Sequence, residues 1–119
     1  MKKRKKRPYT IPWERSFGAV LKEVREIRGI TQEDLALLVG MSRAHVSDLE
    51  RGVHEIGLEM LIKLSEALKI DPSKLLSWVE YRRKRLSYGP QEFQIPEIFL
   101  EDLPQREDEK DFKKRTKKQ

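Results

Sequence analysis

The fold of this chain is decided by residues 31–52, TQEDLALLVGMSRAHVSDLERG. This stretch holds two short apolar-periodic runs, and a residue type that can cap a helix precedes each of them. Thr31 begins a variant of the capping box, and Gly40 suits the left-handed position at a helix end. The pattern predicts a first helix over Gln32–Val39, a tight turn, and a second helix that starts at Ser42 and ends near Arg51.

The second predicted helix has one apolar edge and one small, polar face. At about 100° per residue, Val46 and Leu49 share one side, and the other side carries Arg43, Ala44, Ser47, Asp48 and Arg51. A helix this short needs tertiary packing, so neighbouring helices must hold its apolar edge. An ordinary solvated amphipathic helix is the alternative. The spacing of caps and glycines, with helices on both sides, favours a helix-turn-helix that enters a DNA major groove.

Three further helices are predicted around this motif. They run from Pro12 or Trp13 to about Arg28, over about Leu58–Leu68, and from Pro72 to about Leu86. The positions expected to face the core are Phe17, Val20, Leu21, Val24 and Ile27, and then Leu58, Leu61, Ile62, Leu64, Ala67 and Leu68. The sequence therefore predicts an all-α domain of five helices over residues 13–88.

The motif and its flanks resemble the Cro and lambda-repressor-type (Xre-type) helix-turn-helix family, whose members are mostly prokaryotic. The resemblance covers about Phe17 to Leu76, in the stretches FGAVLKEVREIRGITQEDLALLVGMSRAHVSDLERG and LEMLIKLSEALKIDPSKLL. It implies a lambda-repressor-like fold and a sequence-specific transcription regulator that is often dimeric. Two positions depart from the family pattern: Ile56 stands where proline is frequent, and Asp48 is acidic where arginine or glutamine is frequent.

The resemblance implies roles for individual residues of the motif. The positions that match its base-reading residues are Ser42, Arg43, Ala44, Ser47 and Asp48. Those that match phosphate-contacting or flanking positions are Gln32, His45 and Arg51. Arg25 and Glu50 match a pair that forms a structural salt bridge in relatives.

Chemistry supports two of the base-reading assignments. The fork of the Arg43 guanidinium matches the two acceptors that guanine presents in the major groove. The carboxylate of Asp48 can accept a hydrogen bond from a cytosine amino group, and it also repels phosphate, which would disfavour wrong sites.

The net charge of +6 is unevenly distributed. Residues 1–7 hold six basic side chains and no acidic one, whereas residues 8–100 hold 13 basic and 14 acidic side chains. We expect residues 1–12 to be a disordered arm that contacts DNA phosphate through Lys2, Lys3, Arg4, Lys5, Lys6 and Arg7. A solvated tail without a DNA contact is the alternative.

The C-terminal third divides into two segments. Residues 89–104 include QEFQIPEIFLEDLP at 91–104, which is too apolar for a plain solvated tail. This extension is expected to pack on the domain or a second subunit, or to hold a partner protein. Residues 105–119 are dense in charge and are predicted to be a disordered tail.

Composition excludes several classes of protein. The chain has no cysteine, which excludes a disulfide framework and thiolate metal sites. We expect no metal, no cofactor and no membrane span, and a cytoplasmic location on the nucleoid. Ser47, His45 and Asp48 do not form a catalytic triad on one short helix, because His45 lies on the flank away from Ser47.

The sequence thus predicts a regulator of transcription, expected to be a repressor, and not an enzyme. It would bind double-stranded DNA as a homodimer, with the helix at 42–51 in the major groove. The alternative is an antitoxin-like or adaptor subunit that holds a partner protein through residues 91–104.

Overall fold

A computed structural model describes residues 12–86 and 105–117. Within these residues the chain is all-α, as predicted. The helices are α1 (Trp13–Arg28), α2 (Gln32–Val39), α3 (Arg43–Glu50), α4 (Leu58–Ala67), α5 (Pro72–Leu86) and α6 (Glu109–Lys117). The basic arm at 2–7 and the apolar extension at 89–104 lie outside the described residues.

The ends of α2 and the start of α3 form through the caps that the sequence predicted. The hydroxyl of Thr31 accepts a hydrogen bond from the backbone N–H of Asp34 at 3.0 Å, and the Asp34 carboxylate accepts one from the N–H of Thr31 at 2.9 Å. Gly40 ends α2 with φ +73°, and Ser42 Oγ accepts from the N–H of His45 at 3.1 Å. These contacts satisfy backbone groups that helix ends leave open, so they fix where α2 begins and ends and where α3 begins.

The core lies between α1 and the remaining helices. α1 packs against α3 and α5, while α2 packs against α3 and α4. Side chains less than 2% exposed fill the centre: Phe17, Val20, Leu21, Val24, Leu35, Val46, Leu49, Leu64, Leu68, Leu75, Trp78 and Val79. Each such aliphatic or aromatic side chain contributes about 1.5–3 kcal/mol on burial. The predicted apolar edge of α3 is therefore part of the main core.

Two residues of α4 predicted to face inward are exposed. Leu58 is 71% and Ile62 38% exposed. The buried stripe of α4 is centred on Leu61, Leu64 and Leu68, and at 100° per residue Leu58 and Ile62 lie roughly 90° or more from that centre. The sequence pattern therefore overestimated the width of the buried face of α4.

Residues 105–117 are not the disordered tail that the sequence predicted, because they contain α6. Asp108 Oδ1 accepts a hydrogen bond from the N–H of Lys110 at 2.9 Å, at the start of the helix. Acidic residues occupy the first turn and basic residues the last turn, which complements the helix dipole. Phe112 packs against the core. The high density of charged residues led to a prediction of disorder, although tertiary contacts stabilise a helix here.

Glu107 anchors this segment to the domain. Its side chain is only 1% exposed, and its carboxylate lies 3.3 Å from Arg28 Nη2 and 3.8 Å from Lys69 Nζ and also pairs with Arg115. The backbone N–H of Glu107 donates to the carbonyl of Arg28 at 3.0 Å. Arg115 also donates to the carbonyl of Ala67, at the end of α4, at 2.7 Å. A buried carboxylate surrounded by three cations thus docks the segment where α1 and α4 end.

Candidate DNA-binding interface

The predicted recognition face of α3 is turned to solvent. Ser42, Arg43, Ala44 and His45 are exposed, and Ser47 and Asp48 are partly exposed. On the opposite side Val46 and Leu49 are at most 1% exposed. The helix is therefore held from behind by the core, and its outer face carries small and polar side chains that allow close approach to a surface.

An ion pair fixes the C-terminal end of α3 to α1. Arg25 Nε lies 2.7 Å from Glu50 Oε2, and Arg25 Nη2 lies 3.0 Å from Glu50 Oε1. The hydrogen bonds that Arg25 donates to the Glu50 carboxylate raise the pKa of Arg25, although burial acts in the opposite direction. Arg25 Nη1 also donates to the carbonyl of Ile30 at 2.9 Å. These are the two residues that the family resemblance implied as a structural pair, and they join α1, the turn before α2, and α3.

Gln32 connects the start of α2 to this ion pair. Its Nε2 donates to Glu50 Oε1 at 3.2 Å. The remaining amide hydrogen and the carbonyl oxygen of Gln32 are not used in that bond. A cleft next to it is lined by the Gly29–Glu33 turn, Arg25 and Arg43. The predicted phosphate contact and the predicted guanine contact therefore lie beside one cleft.

Asp48 is held by two basic side chains on the surface of α3. One carboxylate oxygen pairs with Arg51, and the other lies 3.3 Å from Nε2 of His54. The His54 ring stands edge-on to the His45 ring, with centroids 5.9 Å apart. Asp48 is therefore partly neutralised by Arg51 before it meets any ligand.

The sequence reasoning missed His54. This residue follows the glycine that ends the motif, so helical periodicity gives no position for it relative to α3. Gly52, at φ +73°, turns the chain back, and that turn brings the imidazole to Asp48. Gly52, four residues after Asp48, is the sequence signal that could have pointed to such a chain reversal.

The described part of the chain contains neither a metal-ligand cluster nor a membrane span. No group of three or more histidine, aspartate or glutamate side chains in residues 12–86 and 105–117 is arranged to hold a metal ion. None of the helices there has the length and apolar character needed to cross a bilayer.

Sequence comparison identifies the family. A sequence model described as helix-turn-helix matches residues 21–75. The control protein C.BamHI of Bacillus amyloliquefaciens is 33% identical over 63 residues, which are 52% of this chain and 78% of that protein. The chain belongs to the helix-turn-helix family. The predicted Xre-type recognition is confirmed.

Solved structures of family members agree with this helix-turn-helix assignment. The clp gene regulator ClgR of Corynebacterium glutamicum superimposes with a TM-score of 0.66 at 25% identity, over 67% of this chain and 85% of that one. The restriction-modification controller protein C.AhdI of Aeromonas hydrophila is 40% identical, with a TM-score of 0.51, over 52% of this chain and 94% of that one. These relatives are named as gene regulators or controller proteins, which favours the regulator over the antitoxin-like or adaptor alternative.

Proposed function

We propose that this protein binds a specific double-stranded DNA site with α3 in the major groove and regulates transcription from it. The observation that carries the proposal is the outer face of α3. Arg43, Ala44 and His45 are exposed and Ser47 and Asp48 are partly exposed. Val46, Leu49 and the Arg25–Glu50 pair hold the helix from behind. A rigid helix with a small, polar outer face fits the groove.

The general class follows from the family. The chain is a DNA-binding transcriptional regulator, since it has the helix-turn-helix domain and its relatives are regulators and controller proteins. In this proposal the protein binds DNA and does not catalyse a reaction. A protein that acts on promoters would lie on the nucleoid in the cytoplasm.

Within the proposed complex, base reading and positioning fall to different side chains. Arg43 reads guanine, Asp48 accepts from cytosine, and Ser42, Ala44 and Ser47 allow close contact with neighbouring bases. Gln32, His45 and the arm residues 2–7 contact phosphate and fix position without reading sequence. Arg51 has two roles, since it also pairs with Asp48.

We also propose that the chain binds DNA as a homodimer. Two copies would present two α3 helices to half-sites about 34–36 Å apart, one helical turn of DNA. Sedimentation of the free chain and of its complex with duplex gives the number of copies. One copy on an asymmetric site would contradict the dimer but not the DNA-binding role.

The proposal is tested by selecting bound sites from a random duplex pool. We expect an enriched sequence, and we expect Arg43→Ala to cost roughly 1–3 kcal/mol on that sequence and little on random duplex. The matched control is Arg15→Ala, an exposed arginine of α1, which should lose no discrimination between the two duplexes. Equal losses on both duplexes for Arg43→Ala would remove its base-reading role. No enrichment, with co-purification of a stable partner protein, would favour the adaptor.

A further inference from the structure

The outer face of α6 is a stripe of lysines. Lys110, Lys113, Lys114 and Lys117 are all exposed, and their i, i+3, i+4, i+7 spacing puts them on one side of a helix. At 100° per residue the acidic residues of α6, Glu109 and Asp111, fall outside this stripe. None of the four lysine side chains forms an ion pair with another residue in the described part of the chain.

The opposite face of α6 is fixed to the domain. Phe112 packs against the core and Arg115 bonds to the carbonyl of Ala67. The buried Glu107, with Arg28 and Lys69, anchors the chain just before the helix. The lysine stripe is therefore held in one orientation, pointing away from the core.

α6 lies close to the proposed DNA-binding surface of α2 and α3. The turn residues Gly29 and Ile30 form a wall shared by two clefts. One cleft contains Gln32 and Arg43, and the other contains Asp34 of α2 together with Phe112 and Lys113 of α6. α6 thus lies beside the first turn of α2, next to the residues proposed to contact DNA.

The rest of the domain carries almost no net charge, so the lysine stripe adds a positive surface that the rest lacks. Residues 12–86 hold 13 basic and 12 acidic side chains, so they attract a polyanion weakly as a whole. The stripe spans about 10 Å along the helix axis, while each DNA strand carries one phosphate per about 3.4 Å of axis. Its length therefore suits contact with about two or three phosphates. α6 also lies beyond residues 21–75, the part that matches the family.

We propose that α6 is a second DNA-binding element, whose lysine stripe contacts backbone phosphates flanking the site occupied by α3. This inference rests on the proposed DNA-binding function and adds an element outside the helix-turn-helix. The stripe reads no sequence. It increases affinity for any duplex and lengthens the DNA segment that the protein covers.

The test is a salt titration of duplex binding by three full-length proteins. One is the unaltered chain, one carries Lys113→Gln and Lys117→Gln, and one carries Lys22→Gln and Lys74→Gln. The last variant removes the same charge from exposed positions of α1 and α5. Because the substitutions in α6 lie on its outer face, α6 should stay docked, which thermal unfolding of each variant checks.

For the α6 variant, we expect the slope of log affinity against log salt concentration to be smaller in magnitude by about 1–2. The change should be the same on specific and random duplex. The α1/α5 control should keep the slope of the unaltered chain. Ethylation interference on the selected site should show phosphates, outside those near α3, whose modification weakens the unaltered chain but not the α6 variant.

The outcomes separate the two proposals. If the unaltered chain binds its selected site but all three slopes agree, α6 is not a DNA-binding element, and the function of α3 stands. If both variants flatten the slope equally, the effect is one of net charge and the α6 proposal is overturned. If the unaltered chain binds no duplex at low salt, the proposed function fails, and the α6 proposal fails with it.

Discussion

Gly18 of α1 lies so close to the backbone of α3 that a Cβ placed on it would be 2.3 Å from the carbonyl oxygen of Leu49. The same atom would be 2.6 Å from the carbonyl oxygen of Glu50. Both neighbours are backbone atoms and cannot rotate away. Because Gly18 has no side chain, α1 can approach the C-terminal end of α3, the proposed recognition helix, this closely.

Gly18→Ala should lower the free energy of unfolding by about 1–3 kcal/mol, the usual cost of overpacking. Gly57→Ala is the matched control, because nothing lies within 4 Å of a Cβ there. Its loss of a weak helix cap is offset by the reduced freedom of the unfolded chain, so it should change stability by less than about 0.5 kcal/mol. Urea unfolding measures both, and equal effects of the two substitutions would contradict the close approach.

Removing one partner of the Arg25–Glu50 pair should destabilise the domain. Glu50→Ala leaves Arg25 buried without its carboxylate, and we expect a loss of about 3 kcal/mol in urea unfolding. Glu55→Ala, an exposed carboxylate in the following loop, should be nearly neutral. Arg25→Met with Glu50→Leu should recover much of the loss, because no unpaired charge remains. A double variant as unstable as Glu50→Ala would show that the packing around the pair matters more than its charge.

Asp71 should make stability depend on pH in the acid range. Hydrogen bonds from the hydroxyl and then the N–H of Ser73, at 2.6 and 2.8 Å, hold the pKa of Asp71 below its ordinary value. Its contribution is therefore present above the pKa of the unfolded chain and disappears as pH falls through the lower folded pKa. Thermal unfolding should show Asp71→Ala less stable than the unaltered chain near neutral pH, with the gap closing in acid. Asp71→Asn keeps an acceptor oxygen, so its stability relative to Asp71→Ala should not vary with pH.

Asp48 should control discrimination more than affinity. Removing its carboxylate with Asp48→Ala takes a negative charge away from the proposed DNA surface, so binding to random duplex should become tighter. The same change removes a hydrogen-bond acceptor for cytosine, so the preference at one base pair of the selected site should weaken. Competition binding with duplexes altered one base pair at a time measures both effects. Glu55→Ala removes a nearby exposed carboxylate and serves as the control, and an unchanged base preference in Asp48→Ala would rule out base reading by this residue.

The helix boundaries could be predicted from the sequence because they depend on local chemistry. Thr31 and Gly40 specify the two ends of α2 and Ser42 the start of α3 through backbone groups a few residues away, and Asp71–Pro72 starts α5 in the same way. The buried edge of α3 followed from periodicity. These features need no knowledge of distant parts of the chain.

The features that escaped prediction depend on how the chain turns and packs in three dimensions. The position of His54 beside Asp48 depends on the chain reversal at Gly52. The folding of α6 depends on Arg28, Lys69 and Ala67, which lie far from it in sequence, and its own composition resembles a solvated tail. The exposure of Leu58 and Ile62 depends on how much of α4 its neighbours cover. The roles of Arg43 and Asp48 on DNA remain predictions that the binding experiments test.

The docking of Glu107 has a consequence for the order in which the protein forms. Arg28 and Lys69 are synthesised long before the carboxylate that neutralises them, so a nascent domain holds two neighbouring cations without it. Burying these cations without the Glu107 carboxylate would carry a desolvation cost, so before Glu107 docks they favour hydration over close packing. Such long-range contacts close late. We expect α6 to dock last and to open first, with amide hydrogens that exchange faster than those of α1 at the same surface.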